Sequence, residues 1–420
     1  MGRASVAPLA PRARAAVEWR TGEVVVRSPW GAGRPVRVLA GESAAERIGR
    51  DLSRRRFLGM AAVAGATGLL AACTPSGRGP SPAPSGTDRR IAGGLSIGTW
   101  GAYDAPEVLE SFTQTFGPAV TLDSYGSNEE MLAKLDAGAA YDLVVPTSTY
   151  LPPMIARGRL RRLDRDRIPN LANVDAAYRG MPWDPDDEFS VCKAWGTTGF
   201  LYDTTVIRRE LSTWADFLDA AQREASGATT MLDAKEDVAG AYFWANGIDW
   251  MTTDEAELAA AEDFLVNTLA PHLQGFDSAP SEARIPDATS ALVQDWNGDA
   301  RFGILASDEP ERWRWVLGAP RTELWMDCWA IPADAANPDA AHAFIDWVLE
   351  PPHSLAELEF TGYHTGTAGV ERAARDAGVE LPEMIFFSPE QLETMDEGEL
   401  TAAQPRLVEI LDAAKARVGA

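Results

Sequence analysis

The chain has 420 residues, 45% apolar and 24% charged, which is ordinary for a globular protein and long enough for two separately cored lobes. Its formal net charge is −24, and such a surface repels phosphate backbones, which argues against nucleic acid as a partner. Twelve Arg and five Asp or Glu lie between the start and Cys73, so 26 basic and 57 acidic residues follow it and the acidity belongs to the later part of the chain.

Residues 1–52 are rich in Arg and Ala, show no periodic apolar face and carry no structural expectation. The stretch SRRRFLGMAAVAGATGLLAAC, residues 53–73, matches the S-R-R-x-F-L pattern of a twin-arginine export signal, with Arg54 and Arg55 as the pair. The 14 uncharged residues from Gly59 to Ala72 are too few, and too rich in Ala and Gly, for a transmembrane helix, but they suit a signal-peptide core. That core ends in Leu70-Ala71-Ala72-Cys73, a lipobox in which Cys73 becomes the diacylated first residue. The expectation is export and a stable two-chain lipid anchor at the outer face of the cytoplasmic membrane, on the cell surface or in a periplasm. Residues 74–90 hold Pro, Ser and Gly without an apolar anchor and read as a flexible tether.

From Leu95 strand and helix signals alternate. LSIGTW reads as a strand, and PEVLESFTQTF as a helix with Pro106 at its start. VTLDSY is a second strand, and SNEEMLAKL opens a helix with Ser127 and Glu130 spaced as a capping box. YDLVVPT has the continuous apolar character of a strand buried in a parallel sheet, and LPPMIARGRL that of a short helix and turn. CKAWGTTGFLYD reads as β-rich; residues 212–225 and 254–269 read as helices, and FGIL (302–305) as a buried strand. In ELWMDCWAIPA, residues 323–333, strand alternation puts Trp325, Asp327 and Trp329 on one face and Met326, Cys328 and Ala330 on the other. Two amphipathic helices follow, one from Pro338 with Phe344, Ile345, Val348 and Leu349 inward, and one over 405–418. The alternation predicts an α/β protein with parallel sheets. Beyond Cys73 the two cysteines are Cys192 and Cys328, for which either burial as thiols or a disulfide is open.

No dinucleotide, phosphate-loop, zinc-protease or serine-hydrolase motif occurs, and the four His show no metal-ligand spacing. The expectation is a protein that is no enzyme and needs neither cofactor nor metal. Aromatic and acidic residues do gather at strand ends and Gly turns: Trp100 and Tyr103, Tyr150, Asp233 and Glu236, Trp325 and Asp327, and Tyr363. In open α/β sheets such positions face ligands.

In order along residues 95–370, W-x-x-Y, Y-x-S-N-E-x-M-x-A-K-L, Y-D-L-V-V-P, I-P-N-L-x-N-x-D, D-x-x-E, W-M-D-x-x-A-I-P-A and G-Y resemble the polyamine-binding proteins of bacterial ABC transporters. That resemblance implies a two-lobed periplasmic-binding fold of type II with two hinge crossovers, near Thr198-Gly199 and Trp325-Met326. Lobe 1 would be 91–198 with 326–374, and lobe 2 would be 199–325 with 375–420. It implies capture of putrescine or spermidine between the lobes, as a monomer, and delivery to permease subunits with a cytoplasmic ATPase. Asp233, Glu236 and Asp327 would hold ammonium groups by charge-assisted hydrogen bonds. Trp100, Tyr103, Tyr150, Trp325 and Tyr363 would wall the methylene spacers and attract the cation. The pattern departs at Thr149, where an aromatic is expected, at Gly101, where a polar residue is expected, and at Ala306, where a Trp is expected after FGIL; Trp296, Trp313 and Trp315 either refill that gap or are structural. Gln404 is the nearest counterpart to a C-terminal amide ligand. Another organic cation or an amino-acid-like solute is the alternative ligand, and a hydrolase using Asp233, Glu236 or Asp327 as acid and base is the alternative of a different class.

Overall fold

The computed structural model describes residues 90–418, together with backbone strands at Val17–Arg20, Glu23–Val26 and Val36–Leu39. Arg54, Arg55 and Cys73, the predicted export and lipidation residues, lie outside the described residues. No helix among the described residues is long and apolar enough to cross a membrane. The described residues divide into two compact units, one running up to residue 144 with 334–341, the other of 145–333 with 342–418.

In the first unit, strands Gly94–Trp100 and Ala119–Tyr125 run parallel, joined by helix Pro106–Phe116. Pro106 takes the first helical turn, where its missing N–H is no loss, and Gly117 closes the helix at φ 99°. Val108, Leu109 and Phe112 form the buried face of that helix. Helix Asn128–Asp136 is capped as expected by the Ser127 side chain, which accepts from the Glu130 N–H at 3.1 Å. The return half of the box differs: Glu130 Oε2 accepts from the Gly126 N–H, one residue earlier than the box requires. YDLVVP is buried as predicted, with Thr147 half-buried, but only Leu143–Val144 is strand, parallel to Gly94–Trp100. Pro146 has no N–H to extend a ladder.

The second unit is organised around strand Ser190–Asp203, buried at all 14 positions. It pairs antiparallel with Thr322–Ala330 on one side and with Leu292–Trp296 and Trp313–Val316 along its later half. Leu292–Trp296 continues parallel to Thr229–Met231, which is parallel to Leu273–Phe276. Helix Trp214–Gln222 carries a full capping box between Thr213 and Asp216, and packs Trp214 and Phe217 on Phe200. Trp214, Trp244 and Trp250 then stack in series, at 5.3 and 5.2 Å between neighbouring rings.

Three local expectations change. FGIL is not a strand; it lies in helix Asn297–Ala306, with Ala300 and Ile304 buried one turn apart. Four apolar residues fit either period, so only the neighbours decide. The strand is the preceding segment, Leu292–Trp296. The 254–269 helix is α-helical over Glu255–Glu262 and widens to π-helical turns over Asp263–Leu269. The pairing of Thr322–Ala330 with Ser190–Asp203 is interrupted by a bulge on the latter: Asp327 pairs with Ala194 but Cys328 with Cys192, so Lys193 is the extra residue.

Candidate functional site

The register of Ser190–Asp203 assembles one face from three strands. Gly196 lies opposite Trp325, Thr198 lies opposite Trp296, and Thr197 opposite Leu324 brings Glu323 beside Thr198. A Cβ on Gly196 would stand 2.5 Å from the Trp325 ring and 2.4 Å from Asn297 Oδ1, so glycine is what lets that indole lie on the strand. Thr198 Oγ1 lies 2.5 Å from Asp237 Oδ1 and 3.0 Å from Glu323 Oε2. Burial, with the charge of Glu236 adding to it, pushes the Asp237 carboxyl up to about 6 against the hydrogen bond from Thr198. Desolvation, and then the charge of Asp237, hold Glu323 well above the usual carboxylate range. The pair is therefore two carboxyls that burial pushes toward the protonated form, with Glu236 beside them.

The expected ligand residues fall into several settings. Trp325 is partly exposed and meets the buried Tyr363 ring edge-on at 4.8 Å. The Tyr363 hydroxyl donates to Asp299 Oδ2, and its ring covers Gly298, where a Cβ would stand 2.6 Å away. Burial and the Asp299 carboxylate keep the Tyr363 phenol protonated, well above its ordinary range. Asp327 is buried, accepts from Thr147 Oγ1 at 2.8 Å, and pairs across strands with Thr147. Asp233 and Glu236 flank the start of helix Lys235–Asn246, and each carries a lysine: Asp233 pairs with Lys415, and Glu236 with Lys235 at 2.9 Å. Tyr150 is buried at the end of a short 3₁₀ turn, Ser148–Tyr150. In the other unit, Trp100 ends its strand and packs edge-on against Tyr125 at 5.2 Å, and Tyr103 is buried three residues on. Trp329 is buried against Phe344, as core.

Sequence reasoning passed over Glu323, Asp237 and Asp295, which the fold gathers here with Trp296. Glu323 was legible: it shares the alternation of Trp325 and Asp327. Asp237 was hidden behind the D-x-x-E pattern that ends one residue before it. Trp296, one of the candidates to replace the aromatic absent at 306, ends strand Leu292–Trp296, a strand that the sequence reading places at FGIL. Asp295, fully buried, accepts from the Trp296 N–H through Oδ1, while its Oδ2 finds no hydrogen-bond partner among the described residues. Burial, and then the charge of Asp299, raise its carboxyl well above the ordinary value. Gln404 opens helix Gln404–Lys415 with its Oε1 buried. Among the described residues no group of three or more His, Cys, Asp or Glu is arranged to hold a metal ion.

Known proteins are similar to this chain in sequence and in fold. The chain is 31% identical over 269 residues to the spermidine/putrescine-binding periplasmic protein of Escherichia coli, covering 63% of this chain and 75% of that one. It is 28% identical over 315 residues to the putrescine/agmatine-binding protein of Pseudomonas aeruginosa, covering 70% and 84%. Among solved structures it superposes on a putative spermidine/putrescine ABC transporter protein of Listeria monocytogenes with a TM-score of 0.69, at 24% identity and over 76% of this chain and 98% of that one. The TpPotD lipoprotein of Treponema pallidum gives 0.67, at 26% identity and over 77% and 99%. The mixed α/β, two-lobed periplasmic-binding fold expected from the sequence is thus the fold of the chain. Residues 107–383, about two thirds of the chain, match the model of the bacterial extracellular solute-binding proteins, and to that family the chain belongs.

Proposed function

We propose that this chain captures a polyamine, putrescine or spermidine, outside the cytoplasm and delivers it to an ABC permease with a cytoplasmic ATPase. The observation that carries the reading is the interleaving of carboxyl groups and aromatic rings on Thr322–Ala330 and its neighbours: Glu323, Trp325 with Tyr363, and Asp327. A polyamine alternates ammonium groups with methylene spacers. Carboxylates answer the first by charge-assisted hydrogen bonds, and ring faces answer both. The names of the relatives in Escherichia coli and Pseudomonas aeruginosa support the same ligand class.

In this reading Asp327 receives an internal or distal amine, and Asp233 and Glu236 hold the other end once their lysines are displaced. Trp325 and Tyr363 wall the spacer, with Trp100, Tyr103 and Tyr150 as further walls. The lobes are those bounded at 198–199 and 325–326, and a bound polycation relieves repulsion among the carboxylates and favours the closed state. The twin-arginine signal exports the chain, the lipid on Cys73 retains it at the membrane, and it works as a monomer and not as an enzyme.

Calorimetry of the chain against putrescine, spermidine, basic amino acids and betaines tests the reading. The expected result is stoichiometric binding of a diamine or triamine without its consumption. Asp327→Asn weakens that binding by about 1–3 kcal/mol, the value of a hydrogen bond to a charged group. No heat with any diamine or triamine overturns the polyamine assignment, and turnover of a ligand replaces it with a hydrolase.

A further inference from the structure

Cys192 and Cys328 are 136 positions apart and stand directly opposite one another where Ser190–Asp203 and Thr322–Ala330 pair. Opposed residues of an antiparallel pair point their side chains to the same face. Their Cα atoms are about 5.5 Å apart when the two exchange hydrogen bonds and about 4.5 Å when they do not. The Cys328 N–H donates at 3.0 Å to the Pro146 carbonyl, on the side away from Cys192. The cysteines are therefore of the closer kind, within the roughly 4.4–6.8 Å that disulfides span. Both are free thiols, exposed by only 4% and 1%. A Cβ on Gly366 would stand 2.8 Å from Cys192 Sγ, so the thiol lies against backbone and has no room for a bulky adduct.

The geometry points to an oxidisable cross-strand pair, in which Cys192 and Cys328 close a disulfide when the two strands assemble in the presence of an oxidant, clamping them beside Asp327. The two thiols give up two protons and two electrons and form one S–S bond. The electrons and protons reduce a small-molecule or protein disulfide to two thiols. The setting is suitable, since the family is extracellular. Burial raises both thiols above their usual range, so neither supplies much thiolate once the strands are covered. The bond is consequently set while the strands assemble, and the folded chain keeps whichever state it folded into.

The test uses the full chain with Cys73→Ser, which leaves the pair as its remaining cysteines. Unfolded chain is refolded in a buffer of glutathione and its disulfide, and in parallel in reductant. After oxidative refolding the expected product has lost the mass of two hydrogen atoms, has no titratable thiol when denatured, and releases a linked pair of peptides containing 192 and 328. It melts roughly 5 °C above the reduced form, and that difference vanishes in Cys192→Ala/Cys328→Ala. Folded, reduced chain reacts with the same disulfide roughly 100-fold more slowly than unfolded chain. Two titratable thiols after oxidative refolding, or glutathione adducts in place of the linked peptides, overturn the inference, and the mass result decides even if the double variant fails to fold.

Discussion

Thr198 has one hydroxyl hydrogen and two carboxyl neighbours, Asp237 and Glu323. Both groups cannot accept it, so the contact to the second is favourable only if a carboxyl carries a proton of its own. The sign of the resulting pH dependence follows from Asp237. Burial pushes its carboxyl up to about 6 in the folded chain, against about 3.9 when unfolded. Between those values the folded state binds more protons, so stability is fully present below about pH 4 and is lost as pH rises through 6. Asp237→Asn keeps an acceptor for Thr198 and removes the ionisation. Urea unfolding should show the variant more stable than the parent by about 1–3 kcal/mol at pH 8, with the gain disappearing near pH 4. An equal loss at both pH values would mean that the proton is not held there.

At the scale of elements, the bulge opposite Asp327 and Cys328 is the decisive irregularity. The extra residue, Lys193, turns into the core, where its ammonium lies 3.2 Å from Glu357 Oε2 and 4.2 Å from the centre of the Trp329 ring. Both charges of this pair are buried, so removing one leaves the other stranded at low dielectric. Glu357→Gln is expected to cost about 3–5 kcal/mol in denaturant unfolding, and Lys193→Met with Glu357→Leu much less than that. A single-variant loss below about 1 kcal/mol would show that the pair is solvated. The helices teach the converse lesson. Pro106, the Ser127 cap and the apolar spacing of Trp214–Gln222 were readable because each rests on contacts within one or two turns. FGIL was not, because a run of four carries no period and its helix is set by packing of Ala300 and Ile304.

At the scale of the whole molecule, the proposed leader is basic and the rest of the chain acidic, and the reading gives them separate tasks. Cys73→Ala is expected to abolish incorporation of labelled fatty acid and to move the chain from the membrane fraction to the soluble exported fraction, with polyamine binding unchanged in calorimetry. Retention in the membrane fraction without label would assign anchoring to something other than the lipobox. The candidate site was partly legible at this scale. Trp325, Asp327 and Tyr363 could be named because an ordered series of short motifs spans the chain, and the fold brings Trp325 and Tyr363 into ring contact.

Chain order and local pattern alone determined the alternation of strands and helices and the family resemblance, and they carry the proposed address, since each depends on neighbours in sequence. Tertiary structure decided what depends on strand register and burial. It put Glu323 and Asp237 on one threonine hydroxyl, ended a strand on Trp296, and laid Trp325 over Gly196. It also set Cys192 against Cys328 by inserting one residue opposite Asp327. A single-residue bulge changes which side chains face each other across a ladder while leaving the composition of either strand untouched, and no periodicity in the sequence reports it.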